Sequence, residues 1–478
     1  MNTSMSRFVS LFLVVLMVFS PSLDWATCGG GGGGGRGGIA PGNGAENQVY
    51  HVPWKVMSPQ DKPAPGGMVL YWVPSSSEQA RASALMTSRM LSVYAGQCVT
   101  MLVVDPASDD AKKITGGSQI PVAVLSSSDG KVNGKVENQK GDIKVEQVEK
   151  LVEAEFKKRE DMLKERLDEG RNKAKSGDKD GAITTFRAVY DQKCMFPGKA
   201  KDAAKELKKL GVTDVSEIMN PPILDKAQSA KIEQIMIAGL KAELNDKYEE
   251  ARVQYYKAHQ MDPSDPAPLR YLGELYRHHI GDWQKARVEF TKILNMPADP
   301  LSRAVALHGI GKMTIHEGEF AKGLGLMEDS IKEYPLALAY RNIAVYWNSE
   351  GNPKKADYYT REALKLDPKD PFNLVFAAAF MAGNGHGEEA LKIARENEKL
   401  MPASYNLAAI YAQTGNKEKA LALLKRHFFE YERNQSVRAK EMMEARVDTV
   451  FASLMKDPNF ISLTSGADGV LDSKFMHH

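Results

Sequence analysis

The chain has 478 residues, with 63 Lys and Arg against 61 Asp and Glu. So even a balance carries no bulk field that would point to nucleic acid or an acidic membrane surface. Hydrophobic residues make up 43%, enough for a sizeable core, and the length gives room for about three domains.

At the N-terminus, Arg7 is followed by "FVSLFLVVLMVFS", an apolar stretch of 13 residues. A positive start and an apolar core of this length read as a secretory signal over residues 1–28, too short for a stable spanning helix. Cys28 directly precedes the run Gly29–Gly35. This arrangement resembles the lipidation site of bacterial lipoproteins, and the resemblance implies membrane attachment by lipid at Cys28. Asp24, Trp25 and Thr27 depart from that family's pattern, so plain cleavage near Ala26 to Cys28 stays open. Either way the protein is expected to be exported to the cell envelope, periplasmic or anchored. Residues 29–66, rich in Gly and Pro, predict a flexible tether.

Residues 67–156 change character. "MVLYWVP" (Met68 to Pro74) reads as a strand, and the serine-led stretch up to Gly96 as an amphipathic helix. "VTMLVVDP" reads as a second strand, "IPVAVLSSSDGKVNGKVE" as a hairpin turning at Asp129–Gly130, and a helix follows from about Asp142. This order implies a helix-flanked mixed sheet. The region resembles the thioredoxin fold, with Trp72 at the strand end and Ile120–Pro121 matching that family's cis-proline dipeptide. The two cysteines of its CxxC would fall on Ser76 and Gln79. Thiol exchange needs a thiolate, which a serine hydroxyl does not supply. The resemblance therefore implies a domain kept for packing or binding. Cys98 and Cys194 fall in different predicted domains and are expected to be two isolated buried thiols, with a pair in an oxidising compartment as the alternative. A thiol–disulfide oxidoreductase using them is the competing class.

Val145, Val148, Val152, Phe156, Leu163 and Leu167 recur at helical spacing and predict one long helix into the next region. Residues 157–230 read as the rest of that helix, a degenerate helix pair around Ala182 and an extra helix, Lys199 to Leu210. Small residues then recur at Ala251, Ala286, Gly323, Ala356, Ala390 and Ala420, in steps of 35, 37, 33, 34 and 30. Glycine stands five before such a residue at Gly177, Gly281, Gly318, Gly351, Gly385 and Gly415, and proline twelve after at Pro263, Pro335, Pro368 and Pro402. "YLGELY" and "NLAAIY" add Leu272, Gly273 and Tyr276, then Leu407, Ala408 and Tyr411. With a period near ~34 this resembles the tetratricopeptide repeat over 231–434. The expected fold is mainly α: a tetratricopeptide α-solenoid preceded by a small α/β thioredoxin-like domain. Residues 435–478 read as capping helices and tail. "RHHIGDW" adds one residue to the turn after Tyr276.

Catalytic constellations are scarce. The glycine run lacks the Lys-Ser or Lys-Thr of a phosphate loop, and no nucleophile elbow or metalloprotease motif occurs. His278 and His279 are adjacent and point to different sides of a helix, while His308 and His316, eight apart, share one. No catalytic, metal or cofactor site is expected. Function is placed on the concave face built from the first helix of each unit, at Arg270, Tyr271, Arg277, His278, His308, Lys312, Arg341, Asn342, Phe372, Phe376, Tyr405 and Asn406. These positions are expected to face solvent in the free protein and to take an extended acidic or acidic-aromatic segment of a protein partner. An ordinary solvated face and a self-assembly module are the alternatives. Val375 and Ala379 replace the Lys and Asn with which some members hold a terminal carboxylate, so that activity is not implied.

Overall fold

The structure is a computed structural model that describes residues 48–467, apart from short stretches at 59–60, 62, 139, 217, 219–221, 223–224, 246, 367, 369, 400–403 and 432–434. The signal, Cys28, the glycine run and Pro402 lie outside the described residues.

The N-terminal unit is a five-stranded mixed sheet: β1 Lys55–Val56, β2 Met68–Val73, β3 Val99–Val103, β4 Val122–Ser127 and β5 Val132–Glu137. The strand order is β1-β3-β2-β4-β5, with β1 and β2 parallel to β3 and with β4 antiparallel to both β2 and β5. The buried runs of β2 and β4 explain their central places, since a strand covered on both faces has no polar side to offer. Ile120–Pro121 is cis. The single helix read over 75–96 is broken into α1 Ser77–Ala82, a short 3-10 turn and α2 Arg89–Gly96, because Ser83 and Ser88 each cap a new start. A further helix, α3 Asp109–Thr115, was not legible in seven mostly polar residues.

One expectation is overturned within 29–66. Residues 48–57 are not a tether: Val49, Tyr50, Val52 and Trp54 are buried, and Lys55–Val56 pair with β3. Averaged composition hid a short apolar alternation inside a Gly- and Pro-rich stretch.

α4 Val145–Lys175 runs 31 residues out of the sheet unit into α5 Lys179–Tyr190 and α6 Pro197–Lys209. The sheet and these helices share one core, which holds Trp72, Val152, Phe186 and Leu207 together. That shared core accounts for a second correction. Cys98 and Cys194 are not isolated thiols but a disulfide, with Cα atoms 5.9 Å apart, because the two segments belong to one packing unit. Gln97 Nε2 donates to Met195 O beside it, at 3.1 Å.

The solenoid continues in antiparallel pairs. The inner helices are α7 Lys226–Leu244, α9 Pro266–Leu275, α11 Pro300–His316, α13 Ala337–Ser349, α15 Pro371–Gly383 and α17 Tyr405–Gln413. Their outer partners are α8 Tyr248–Met261, α10 Trp283–Leu294, α12 Phe320–Glu333, α14 Pro353–Leu366, α16 Gly387–Asn397 and α18 Lys417–Arg426. The small residues sit where ring meets backbone. A Cβ on Gly239 would lie 2.5 Å from Tyr255, and one on Gly273 2.4 Å from Phe290. The ring comes 16 residues later in the first pair and 17 in the second, and the π turn Tyr276–Ile280 absorbs that extra residue. All six glycines of the turns have positive φ, Gly351 at 71°. The end is closed by α19 Gln435–Val447 and α20 Pro458–Thr464, with Phe451, Leu454 and Phe460 buried over the last pair.

Two outcomes are expected. Gly273→Ala destabilises by about 1–3 kcal/mol in denaturant titration, because the ring of Phe290 has no free volume to retreat into. Cys98→Ser lowers stability by about 3–5 kcal/mol by releasing a loop whose ends are 96 residues apart. Thiol titration in denaturant should count two more thiols after reduction than before it.

Candidate functional site

Charged and polar side chains line the inner helices where a plain helical core would carry aliphatics. Glu274 on α9 receives Arg277 at 2.7 Å and His278 Nε2 at 3.0 Å, and Arg277 also meets His278 directly. His308 on α11 lies 2.7 Å from Asn342 Nδ2 on α13. Arg341 donates to Asn373 Oδ1 on α15 at 3.1 Å, with Asp370 at 4.0 Å, and Asn373 Nδ2 donates to Ala363 O. Lys312 lies close enough for its charge to bear on both histidines.

Burial sets the charge states. Burial raises the Glu274 carboxyl, but Arg277 and His278 more than reverse that and hold it well below the usual carboxylate range. Burial, then Arg277, lowers His278 to about 4. Burial, then Arg277 and Lys312, puts His308 well below its ordinary value. Both imidazoles are thus neutral at pH 7. Glu243, one helix back on α7, is raised to about 8 by burial, against the bond it accepts from the Tyr255 hydroxyl. It keeps its proton at neutral pH. The cluster therefore presents Arg277 and Lys312 against Glu274, a net positive interior, with neutral donors and acceptors around it.

The twelve candidates divide. Arg277, His278, His308, Lys312, Arg341 and Asn342 come together as the network just described. Arg270 stands one turn before Glu274 with its guanidinium 5.7 Å from the Tyr271 ring. Phe372 joins the C-terminal core, and Phe376 packs in the middle of the solenoid, 5.0 Å from Phe380. Tyr405 belongs to the end cap: its hydroxyl donates to Asp448 at 3.1 Å, and its ring meets Phe451 at 5.0 Å. Burial raises Asp448 to about 7. Asn406 is buried beside it in sequence.

The expectation that these positions face solvent is wrong. All are buried except His278, which is mostly so. The inner helices close on one another: His308 meets Asn342 and Arg341 meets Asn373 across helix boundaries, Glu274 pairs with Arg277 and His278 along the chain, and Arg270 Nε is enclosed without a partner. Charge reversal at Arg270 or Arg341 would therefore unfold the protein before it weakened any binding. The side chain of His316 lies outside the described residues. Glu274, Glu243 and Asn373 were missed. The spacing Glu274, Arg277, His278 is a three- and four-residue helical pairing that a charge scan along α9 would have found. Among the described residues no group of three or more His, Cys, Asp or Glu is placed to hold a metal ion.

No family model matches the chain. The protein CTR9 homolog of Arabidopsis thaliana is 24% identical over 230 residues, taking in 38% of this chain and 21% of that one, so the chain spans about a fifth of this curated relative. Among solved structures, MamA is 21% identical, over 34% of this chain and 93% of its own, with a TM-score of 0.26. PilF of Pseudomonas aeruginosa is 15% identical over 46% and 99%, TM-score 0.34. The type IV pilus biogenesis factor PilW is 14% identical over 52% and 98%, TM-score 0.31.

A raised folded pKa gives stability that is full below the unfolded value and lost as pH rises through the folded one. For Glu243 that window runs from its ordinary 4.5 to about 8. By pH 7 the retained proton costs on the order of 3 kcal/mol. Glu243→Gln keeps the acceptor for Tyr255 and removes the titration. Denaturant midpoints between pH 5 and 8 should then fall less steeply in the variant than in the wild type.

Proposed function

We propose that this chain is an exported, non-enzymatic scaffold that binds segments of partner proteins on the inner face of its tetratricopeptide solenoid. The observation that carries the reading is the row of charged and amide side chains on α9, α11, α13 and α15. Polar groups on the inner face are costly to bury, and a binding face is the simplest use for them. Their positive excess favours acidic segments.

The apolar stretch after Arg7 supports export, with lipid at Cys28 as the anchored form. A Cys98–Cys194 disulfide agrees with an oxidising compartment. In this reading the N-terminal sheet is a thioredoxin-like domain without its redox pair. Its strand order supports that. At the positions where the redox cysteines would stand, Ser76 Oγ accepts from Gln79 N as a helix cap, and Gln79 ties to Gly141 O at 2.9 Å. The one disulfide instead joins the sheet to the loop after α5, where it acts as a staple.

Lys312→Met removes one inner-face charge without reversing it. Affinity capture from envelope extract with wild type and variant, both with unchanged circular dichroism, is the test. Partners that drop at least fivefold in yield with the variant support the reading, and an identical set at identical yield overturns it. Insulin reduction by the wild type that disappears in a Cys98→Ser variant shown by circular dichroism to remain folded would favour the oxidoreductase instead.

A further inference from the structure

The solenoid already holds a piece of its own chain. Val49 and Tyr50 are each 1% exposed and lie in the solenoid core among residues of α7, α9 and α11, while Val52 and Trp54 lie in the core of the sheet unit. The Tyr50 hydroxyl donates to Asp265 Oδ2 at 2.8 Å, and Arg89 Nε reaches the same hydroxyl at 3.3 Å. From Val52 onward the segment is fastened: Trp54 Nε1 donates to Leu85 O, its carbonyl accepts from Tyr334, and Lys55–Val56 continue into the sheet. Residues 48–51 sit against the solenoid, where Val49 and Tyr50 are buried and the Tyr50 hydroxyl makes the hydrogen bonds just described.

Next to them stands an unmet demand. Arg270 is 1% exposed and makes no hydrogen bond or ion pair among the described residues, and its Nε is enclosed without an acceptor. Asp299, whose carboxyl feels the Arg270 charge, uses its two oxygens on Ser302 N and Oγ at 2.9 and 2.6 Å. The resident side chain that feels Arg270 is His51, whose Nε2 is likewise enclosed and without a partner. A buried guanidinium without an anion is strongly disfavoured, and a neutral imidazole does not relieve it. A carboxylate would, through a charge-assisted fork.

We propose that residues 48–51 are the resident occupant of a peptide site at the starts of α7, α9 and α11, and that the partner segment replacing them carries tyrosine followed by an acidic residue, the tyrosine taking the place of Tyr50 and the acid pairing with Arg270. This rests on the reading of the inner face as a partner-binding surface. The resident segment holds its place by tethering, since a short covalent link raises its local concentration far above that of a free peptide. The partner displaces it through the one ion pair the resident cannot make.

Two arms test the proposal in the full chain. In the first, His51→Glu supplies the carboxylate in place. It should raise the folding equilibrium constant about tenfold, read from denaturant midpoints, and the gain should vanish in an Arg270→Leu background. In the second, Tyr50→Ala vacates the aromatic position, and two amidated peptides are titrated, Gly-Val-Tyr-Glu-Gly and Gly-Val-Tyr-His-Gly. The first should bind the variant about tenfold tighter than the second, and neither should bind the wild type. Absence of coupling between His51→Glu and Arg270→Leu, or equal affinity for the two peptides, overturns the proposal. If that happens while Lys312→Met still loses its partners, the inner face remains a binding surface and only this site falls.

Discussion

The guanidinium of Arg89 is the interaction on which the assembly of the two units depends. It lies 2.7 Å from Asp262 and 3.2 Å from Asp265, with Ser229 at 2.7 Å, and both carboxylates are buried to within 2%. Burial works against the charge, and Asp265, Tyr50 and Asp262 outweigh it. Such a group is tolerated only when fully paired, so the sheet unit and the solenoid are held in one relative placement. Asp265 also caps α9, which ties the start of the second inner helix to the same contact. Nine residues along, Cys98 fastens the far end of α2 to the loop after α5. One short stretch thus pins the sheet unit twice, once by ions and once covalently.

Behind that junction the repeats obey a simpler constraint. In three of the helix pairs an aromatic ring lies on the backbone of its partner, and only a residue without a side chain leaves room. Gly170 under Phe186, Gly239 under Tyr255 and Gly273 under Phe290 are the same contact three times. At the corresponding sequence spacing the later pairs carry Ala344 and Thr360, Ala378 and Ala394, and Ala408 and Leu424, all buried. A smaller partner on the outer helix leaves room for a methyl on the inner one. The π turn at Tyr276–Ile280 shows how firmly the contact governs register: an added residue is taken up in the backbone rather than by moving Phe290.

The inner face follows a different rule from either. Glu274 pairs with Arg277 and His278 one turn along the chain, and His308 meets Asn342 between α11 and α13. With the histidines neutral, the charged groups of this cluster are Arg277, Lys312 and Glu274.

Local signals in the sequence determined the helices, their turns and their period. Gly351 needs positive φ, Pro368 ends a helix, and a small residue must stand where two helices touch; each of these is a property of a few neighbouring residues. The same holds for the strands β2 to β5 and the long helix α4. What lies far apart in the chain was decided only by the fold. Tyr50 meets Asp265 across 215 residues, and Arg89 meets Asp262 across 173. Cys98 finds Cys194 because α4 and the sheet share one core. The burial of the inner-face residues is of the same kind. A helical register states which side a residue is on, but whether that side meets water or the next helix depends on how tightly the superhelix closes, which no single repeat encodes.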